Sequence, residues 1–258
     1  MATDARIMPV NPMEHDKYVP ETFRVLGKRG IRRIDGQRKA SGKAVYTRDI
    51  TLFGMLHTRF LTSPYPNGRI KSMDTEKAEA LPGVRCVLRY DDPEIKGKRA
   101  ASTQGVEEEI LSANAYFEGQ HMGVAIAADT EDIANEALSL VKVEWEQRPF
   151  VLDPESAIAP GAPATRPEWL GDSNKLPLFF GAGEAFRFGD VEKGFQEADR
   201  VIEFKTRRRY NGCADAEPLS GVVRWDGECA ELWVHHQHPW EHKWVVHQWY
   251  PDTPMSKI

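Results

Sequence analysis

The chain has 258 residues, of which 41% are hydrophobic and 28% are charged, values typical of a folded protein with one large or two modest domains. Its net charge of -5 argues against general affinity for nucleic acid or for an anionic membrane surface. There is no apolar stretch near the roughly 20 residues that span a bilayer, no secretory signal over residues 1–10, and no CxxC pair among Cys86, Cys213 and Cys229. We therefore expect a cytoplasmic protein with free thiols, no membrane span and no iron–sulfur or zinc-ribbon site of its own.

The first half of the chain predicts a polar tail followed by a compact unit. Residues 1–39 are polar and contain several prolines, so we expect this tail to be ordered by wrapping a partner chain. Apolar runs then predict strands over Leu56–Leu61 and Val84–Tyr90. Between them, Asp74–Ala80 predicts a short helix capped by its first residue. The charged, aperiodic stretch Asp91–Glu109 is interpreted as a surface loop.

A strand–helix–strand unit is the clearest local pattern. Residues 123–128 form an apolar run of strand length, and Thr130 is a good N-cap for a following helix whose apolar residues recur at helical spacing. Val141–Trp145 then alternates between apolar and polar residues as a strand does. Three elements joined by short links favour an α/β layer. Residues 153–180 contain five prolines and are interpreted as a linker between domains.

The last part of the chain predicts two helices around three strands. The helices are expected over Val191–Ala198 and from Pro239 to about Tyr250, and the first strand over Val201–Tyr210. Leu219–Trp225 and Ala230–His236 predict a hairpin that turns at Asp226-Gly227, because glycine tolerates the positive φ of a type I′ turn.

Five of the eight histidines lie within thirteen residues, and they raise the question of a metal site. They are His235, His236, His238, His242 and His247. On a strand, the side chains of His235 and His236 face opposite ways and so cannot easily bind one ion. We interpret the group as surface, packing or interface histidines, with a structural zinc site as the alternative.

Seven short segments between residues 40 and 158 stand in a recognisable order. They are Ser41–Tyr46, Gly54–Leu56, Ala80–Val84, Tyr116–Gln120, Val124–Thr130, Val141–Glu146 and Asp153–Ala157. In this order and spacing they resemble the opening of the large subunit of the xanthine dehydrogenase/aldehyde oxidase family, the molybdenum hydroxylases. The resemblance implies that residues 40–158 form the α/β domain that the family calls the hammerhead.

The resemblance continues beyond the linker with Gly189–Glu192, Glu217-Pro218, Trp225–Gly227 and Leu232–Pro239. These segments are similar to the entry of the family's molybdopterin-binding domain. The resemblance therefore implies an α+β or α/β fold in four parts: tail 1–39, hammerhead 40–158, linker 159–180, and 181–258 as the first strands and helix of an incomplete molybdopterin-binding α+β domain.

Gln237 is the one position that the resemblance assigns to the cofactor. Family members carry a glutamine in this last segment whose side chain approaches the molybdenum oxo group, and Gln237 is the matching residue. An amide there would donate to a metal-bound oxygen and help to orient it. A glutamine at a strand end without that role is the alternative.

Two stretches depart from the family pattern. The histidine and methionine that often precede Glu-Pro are missing from Asn211–Pro218, and His235-His236 replaces a pair of small hydroxyl residues before Gln237. The family's glycine-rich cofactor loop and its glutamate base lie beyond this chain. We therefore expect no catalytic residue and no metal ligand here. We also expect a second polypeptide to complete the molybdopterin domain, and a truncated chain is the alternative.

The resemblance implies a subunit of a multi-subunit, molybdenum-dependent hydroxylase or dehydrogenase that acts on an aldehyde or an aromatic heterocycle. It implies molybdopterin with molybdenum, in the cytosine dinucleotide form of bacterial relatives, shared with the completing chain. An iron–sulfur subunit with 2Fe-2S clusters and a flavin subunit with FAD would carry the electrons away. This chain would wall the site and help to exclude water. A non-catalytic adaptor or small-ligand-binding protein that kept the hammerhead is the alternative.

Overall fold

A computed structural model describes residues 32–101, 107–166, 174, 189–209, 212 and 217–258. Within these ranges the strands are β1 His57–Thr62, β2 Gly68–Asp74, β3 Val84–Arg89, β4 Arg99–Ala101, β5 Glu107–Glu109, β6 Asn114–Ala115, β7 His121–Ala128, β8 Lys142–Gln147, β9 Gly221–Trp225 and β10 Ala230–Val234. The α-helices are α1 Gly36–Ala40, α2 Glu76–Glu79, α3 Glu131–Leu140, α4 Pro154–Ala157, α5 Val191–Glu197 and α6 Pro239–Trp249. Short 3-10 turns span Thr47–Asp49 and Met255–Lys257.

Two predicted segments fall largely outside these ranges. Most of the tail (1–31) and most of the linker after residue 166 are not among the described residues. The helices that the structure does describe are all too short or too polar to cross a bilayer.

Two three-stranded antiparallel sheets form the first part of the structure. β7 lies between β1 and β3 in one sheet, and β2 lies between β6 and β8 in the other. This antiparallel pairing corresponds to α+β, one of the two expected fold classes. The predicted strand–helix–strand unit is present as β7, α3 and β8, but its two strands belong to different sheets.

A continuous core joins the two sheets. Its fully buried members include Ile70 on β2, Val124 and Ile126 on β7, and Ala137 on α3. β7 is buried along nearly its whole length because neighbouring elements cover both of its faces, which explains its unbroken apolar run. The compact unit predicted for this part of the chain therefore has a core of its own.

The start of α3 confirms the predicted cap. The hydroxyl of Thr130 accepts a hydrogen bond from the backbone N–H of Ile133 at 3.2 Å, which satisfies one of the free amides of the first turn. The guanidinium of Arg59 on β1 donates to Asn135 and also binds Glu131, so charged contacts tie the helix to the sheet edge. α3 is thus held from its first turn onward.

The structure differs from the sequence-based expectation at three places in the first part. β2 was missed because a bulge between Ile70 and Ser72 interrupts its alternation of apolar and polar residues. The helix near Asp74 spans only Glu76–Glu79, with Thr75 as N-cap, although Asp74 does accept the N–H of Glu76 at 3.1 Å. The predicted loop 91–109 contains the strand pair β4–β5, which backbone pairing forms despite its charged sequence.

The last part of the structure consists of α5, the hairpin β9–β10 and α6. α5 begins as predicted, with Asp190 accepting the N–H of Lys193 at 3.0 Å. The hairpin is also present, with Gly227 at φ +94° in the four-residue loop between Trp225 and Ala230. Two amides of that loop, first that of Cys229 and then that of Glu228, donate to Asp226 and hold the pKa of its carboxyl below the usual value.

Two strand predictions in this part were wrong. Residues 201–209 form no strand, and no strand of the described chain lies beside them to complete a ladder. β10 ends at Val234 and not at His236, because the chain turns toward α6 and the imidazole of His236 binds a backbone N–H of that turn.

Candidate functional site

Gln237 lies in the short turn between β10 and α6. Its side chain is exposed, and no hydrogen bond joins its amide to any other residue that the structure describes. α6 starts two residues later at Pro239, which is favoured at a first helical position because its missing N–H would be unpaired there. The exposed amide therefore stands at the N-terminal end of an eleven-residue helix.

The backbone on both sides of Gln237 is tied down. His236 Nδ1 accepts a hydrogen bond from the backbone N–H of His238 at 2.9 Å. The carbonyl oxygen of His238 accepts the N–H of Glu241 at 3.0 Å. Before the turn, the N–H of His235 donates to the carbonyl oxygen of Ser220 at 3.3 Å, which extends the hairpin by one step.

The imidazoles around the turn pack against each other. The ring of His236 lies edge-on to His242, with ring centroids 4.3 Å apart, and 5.9 Å from the ring of His238. Burial lowers the pKa of His242 below its usual value of 6.5, the neighbouring His236 lowers it further, and Glu241 opposes the shift. His242 therefore favours its neutral form beside His236.

This histidine group does not form a recognisable metal centre. Across the described ranges, no set of three or more His, Cys, Asp or Glu side chains has the geometry to hold an ion. His247 instead contacts the carbonyl oxygen of Thr253 through Nδ1 at 2.8 Å, beyond the C-terminal end of α6. The zinc alternative thus finds no support in the part of the chain that is described.

A carboxylate connects the site region to the first part of the structure. Glu217 Oε1 accepts the backbone N–H of Thr47 at 3.0 Å, across 170 positions of sequence. Thr47 is buried at the start of its 3-10 turn, so this bond satisfies an amide that solvent scarcely reaches. The Nζ of Lys98 also lies over the ring of Tyr250, 4.9 Å from its centroid. The hairpin and α6 are therefore attached to the hammerhead region through polar and cation–π contacts.

Two functional features escaped the sequence-based reasoning. Glu217 was noted only as part of the Glu217-Pro218 resemblance, and nothing in the sequence signals its partner Thr47. The role of His236 in closing the turn was hidden as well, because histidine is not one of the usual turn residues.

The residues at this turn fit an oxygen-rich cofactor. Gln237 supplies two amide N–H donors that no described residue uses, and the N-terminal end of α6 adds a favourable potential for negative charge. The arrangement can donate hydrogen bonds to a bound oxo or phosphate oxygen. The expectation that the catalytic base lies outside this chain stays a prediction.

Comparisons with known proteins match the two parts of the chain separately. A family profile described as "Aldehyde oxidase and xanthine dehydrogenase, a/b hammerhead domain" matches residues 41–149. A second profile, "Molybdopterin cofactor-binding domain", matches residues 177–258. The turn with Gln237 lies within the second match.

Similar proteins are subunits of molybdenum enzymes. A probable xanthine dehydrogenase subunit of Bacillus subtilis (strain 168) is 30% identical over 236 residues, which cover 91% of this chain and 30% of that protein. The nicotinate dehydrogenase large molybdopterin subunit of Eubacterium barkeri is 29% identical over 208 residues, which cover 80% of this chain and 46% of that protein. A crystal structure of Cu,Mo-CO dehydrogenase aligns with a TM-score of 0.65 at 26% identity, covering 88% of this chain and 30% of that one.

The chain spans less than half of the length of each of these relatives. The two profile matches stand in the order expected from the resemblance, with the hammerhead first. The chain belongs to the xanthine dehydrogenase/aldehyde oxidase family and corresponds to the N-terminal part of its molybdenum-binding large subunit.

Proposed function

We propose that the chain forms part of the active-site wall in a multi-subunit molybdenum hydroxylase or dehydrogenase that acts on an aldehyde or an aromatic heterocycle. The observation that carries this proposal is the exposed, uncommitted amide of Gln237, which lies inside the segment matched to molybdopterin-binding domains. When bound, a molybdenum–molybdopterin cofactor supplies oxidative hydroxylation of an electron-poor carbon. Gln237 would donate its amide N–H to an oxygen of that group and so hold the group in one orientation.

The proposal includes a completing chain, because the last part of this structure has almost no core. Among its described residues from 189 to 258, Ala230 is the single buried one. Large apolar side chains are open instead, with Ile202 82%, Phe204 81% and Leu219 86% exposed. Exposed apolar surface on this scale calls for a covering partner. The rest of a molybdopterin-binding domain, supplied by a further polypeptide, is the cover that we propose.

The same proposal assigns the remaining cofactors and partners. The domain limits are taken as 1–39, 40–158, 159–180 and 181–258, and the tail 1–39 is assigned to contact with a partner chain. An iron–sulfur subunit with 2Fe-2S clusters and a flavin subunit with FAD would remove the electrons. The cofactor would be the cytosine dinucleotide form, and the complex would be cytoplasmic.

Purification of the native complex tests the proposal as a whole. Elemental analysis for molybdenum, iron and zinc would be combined with mass spectrometry of the co-eluting chains. Molybdenum and iron together with a larger partner chain are the expected result. A metal-free chain that elutes alone would reject the proposal and favour a hammerhead-derived adaptor, and stoichiometric zinc would favour the histidine alternative.

Substitution of Gln237 tests the residue. In the purified complex, Gln237→Ala is expected to lower kcat by about 10–100-fold, the usual effect of losing a group that orients a metal centre through hydrogen bonds. Molybdenum content should not change, since the amide is not a ligand. Gln196→Ala, which removes an exposed glutamine from α5, is the matched control and should be silent. Equal turnover in both variants would refute the role of Gln237.

A further inference from the structure

The turn that presents Gln237 is closed by a side chain of this chain. The bond from the N–H of His238 to His236 Nδ1 joins residue i to residue i+2, the pattern in which an Asn or Asp side chain closes an Asx-turn. His238 occupies the N-cap position of α6 but makes no side-chain capping bond. The imidazole of His236 is therefore the side chain that joins the turn to the start of the helix.

We propose that His236 is a positioning residue for Gln237. Its imidazole takes the place that an Asn or Asp side chain has in an Asx-turn, and it fixes the direction in which the side-chain amide of Gln237 projects from the surface. The inference rests on the proposed function only for what Gln237 does once it is held in place. The turn and its closure depend on atoms of this chain alone. The family resemblance implies small hydroxyl residues where this chain has His235-His236, so closure of the turn by an imidazole is a feature of this sequence.

The closing bond requires one particular form of the ring. An imidazole nitrogen accepts a hydrogen bond only when it carries no proton, so the closing bond uses the tautomer of His236 that has its proton on Nε2. Nε2 is the nitrogen that faces the carboxylate of Glu241, at 4.0 Å from Oε2. A carboxylate on that side favours the proton on Nε2 and leaves Nδ1 free to accept.

Neighbouring rings hold the imidazole in this orientation. His242 projects from the first turns of α6 and meets His236 edge-on at an interplanar angle of 72°. Because burial favours the neutral form of His242, the pair packs without mutual repulsion. His236 is thus packed against the helix whose N-terminal end it closes.

Two substitutions of His236 distinguish the role of its hydrogen-bond acceptor from the role of its bulk. His236→Asn keeps an acceptor that reaches the i+2 amide, because asparagine forms the same turn. His236→Leu keeps bulk but has no acceptor. His238→Leu is the control, since it changes the neighbouring ring and retains the backbone N–H that donates.

The first readout is amide hydrogen exchange in the assembled complex, followed by mass spectrometry over a peptide that begins several residues before Gln237 and extends to Glu241. His236→Leu should speed exchange at the amide of residue 238 by about fivefold, the equivalent of one net hydrogen bond. His236→Asn and His238→Leu should leave the rate near that of the wild type. Unchanged exchange in His236→Leu, or equal acceleration in the Leu and Asn variants, would overturn the inference.

The second readout is turnover, arranged as a double-mutant cycle. If His236 acts through Gln237, the double variant His236→Leu/Gln237→Ala should be no slower than Gln237→Ala alone, and His236→Asn should restore turnover. Additive losses would overturn the positioning role. Accelerated exchange in His236→Leu combined with a silent Gln237→Ala would support the turn closure and reject the proposed function of Gln237, so the two failures are distinguishable.

Discussion

Replacement of Gly123 by alanine should destabilise the hammerhead region more than any comparable change at an exposed glycine. Gly123 has φ +69° within β7, at the point where the pairing of β7 with β1 shifts register. It is buried, and both its N–H and its carbonyl oxygen are used: the N–H donates to Ser112 and the oxygen accepts from Tyr90, at 2.9 and 2.8 Å. The backbone at this bulge therefore cannot relax to a negative φ without losing hydrogen bonds.

The expected cost has two parts. A left-handed conformation costs a residue with a Cβ about 1–2 kcal/mol. The new Cβ would also lie 2.4 Å from Cδ1 of Ile70 and 3.1 Å from Cδ2 of Leu61. Ile70 is 2% exposed and lies in the packed core, so overpacking adds about 1–3 kcal/mol. The sum is a loss of about 2–5 kcal/mol in the free energy of unfolding.

Gly119→Ala supplies the matched control. Gly119 has φ +83°, is exposed, and has no heavy atom within 4 Å of the position that a Cβ would take. It should therefore show only the backbone cost, about 1–2 kcal/mol. Urea denaturation followed by far-UV circular dichroism measures both variants, provided that the m-values agree. If Gly123→Ala were no more destabilising than Gly119→Ala, the steric part of the reasoning would be refuted.

Two further predictions concern charged contacts. Glu217→Gln should weaken the attachment of the hairpin to Thr47 by about 1 kcal/mol, because a hydrogen bond to a charged acceptor is stronger than one to a neutral amide. Glu217→Ala removes the acceptor and should cost about 1.5–3 kcal/mol. Limited proteolysis and urea denaturation measure both effects. The hydrogen bonds from Arg85 hold the pKa of Asp129 below its usual value of 3.8, with charge attraction adding to the effect. The contribution of this pair to stability is therefore present above pH 3.8 and is lost as the pH falls through the lower pKa of the folded state. Arg85→Met should raise the pKa of Asp129 back toward 3.8, as measured by NMR titration of its carboxyl carbon.

Each of these has a clear contrary result. Stability equal to that of the wild type in both variants at position 217 would mean that the charge and the acceptor are both irrelevant to the attachment. An Asp129 titration that is the same with and without Arg85 would show that this exposed pair is fully screened by solvent.

Local signals were enough to predict the elements whose stabilising contacts lie close in sequence. Thr130 caps α3 through an amide three residues away, and the apolar run of β7 was recognisable because a central strand is buried on both faces. The hairpin β9–β10 and the start of α6 at Pro239 follow from turn and helix-start residues in the same way. The family, and with it the position of Gln237, was also readable, since it depends on the order of short segments.

Features that depend on distant partners were decided by the tertiary structure alone. Residues 201–209 have the composition of a strand but form none, because a strand exists only where another backbone completes its ladder. The bond between Glu217 and Thr47 joins residues 170 positions apart, and no local pattern encodes such a pair. The imidazole of His236 closes its turn because β10 ends at Val234 and α6 brings His242 against the ring, and both are properties of the folded chain. The sequence by itself thus determined the family, the order of the segments and the locally capped elements. The distances between those segments were decided by the tertiary structure, because they arise from packing between residues that lie far apart in the sequence.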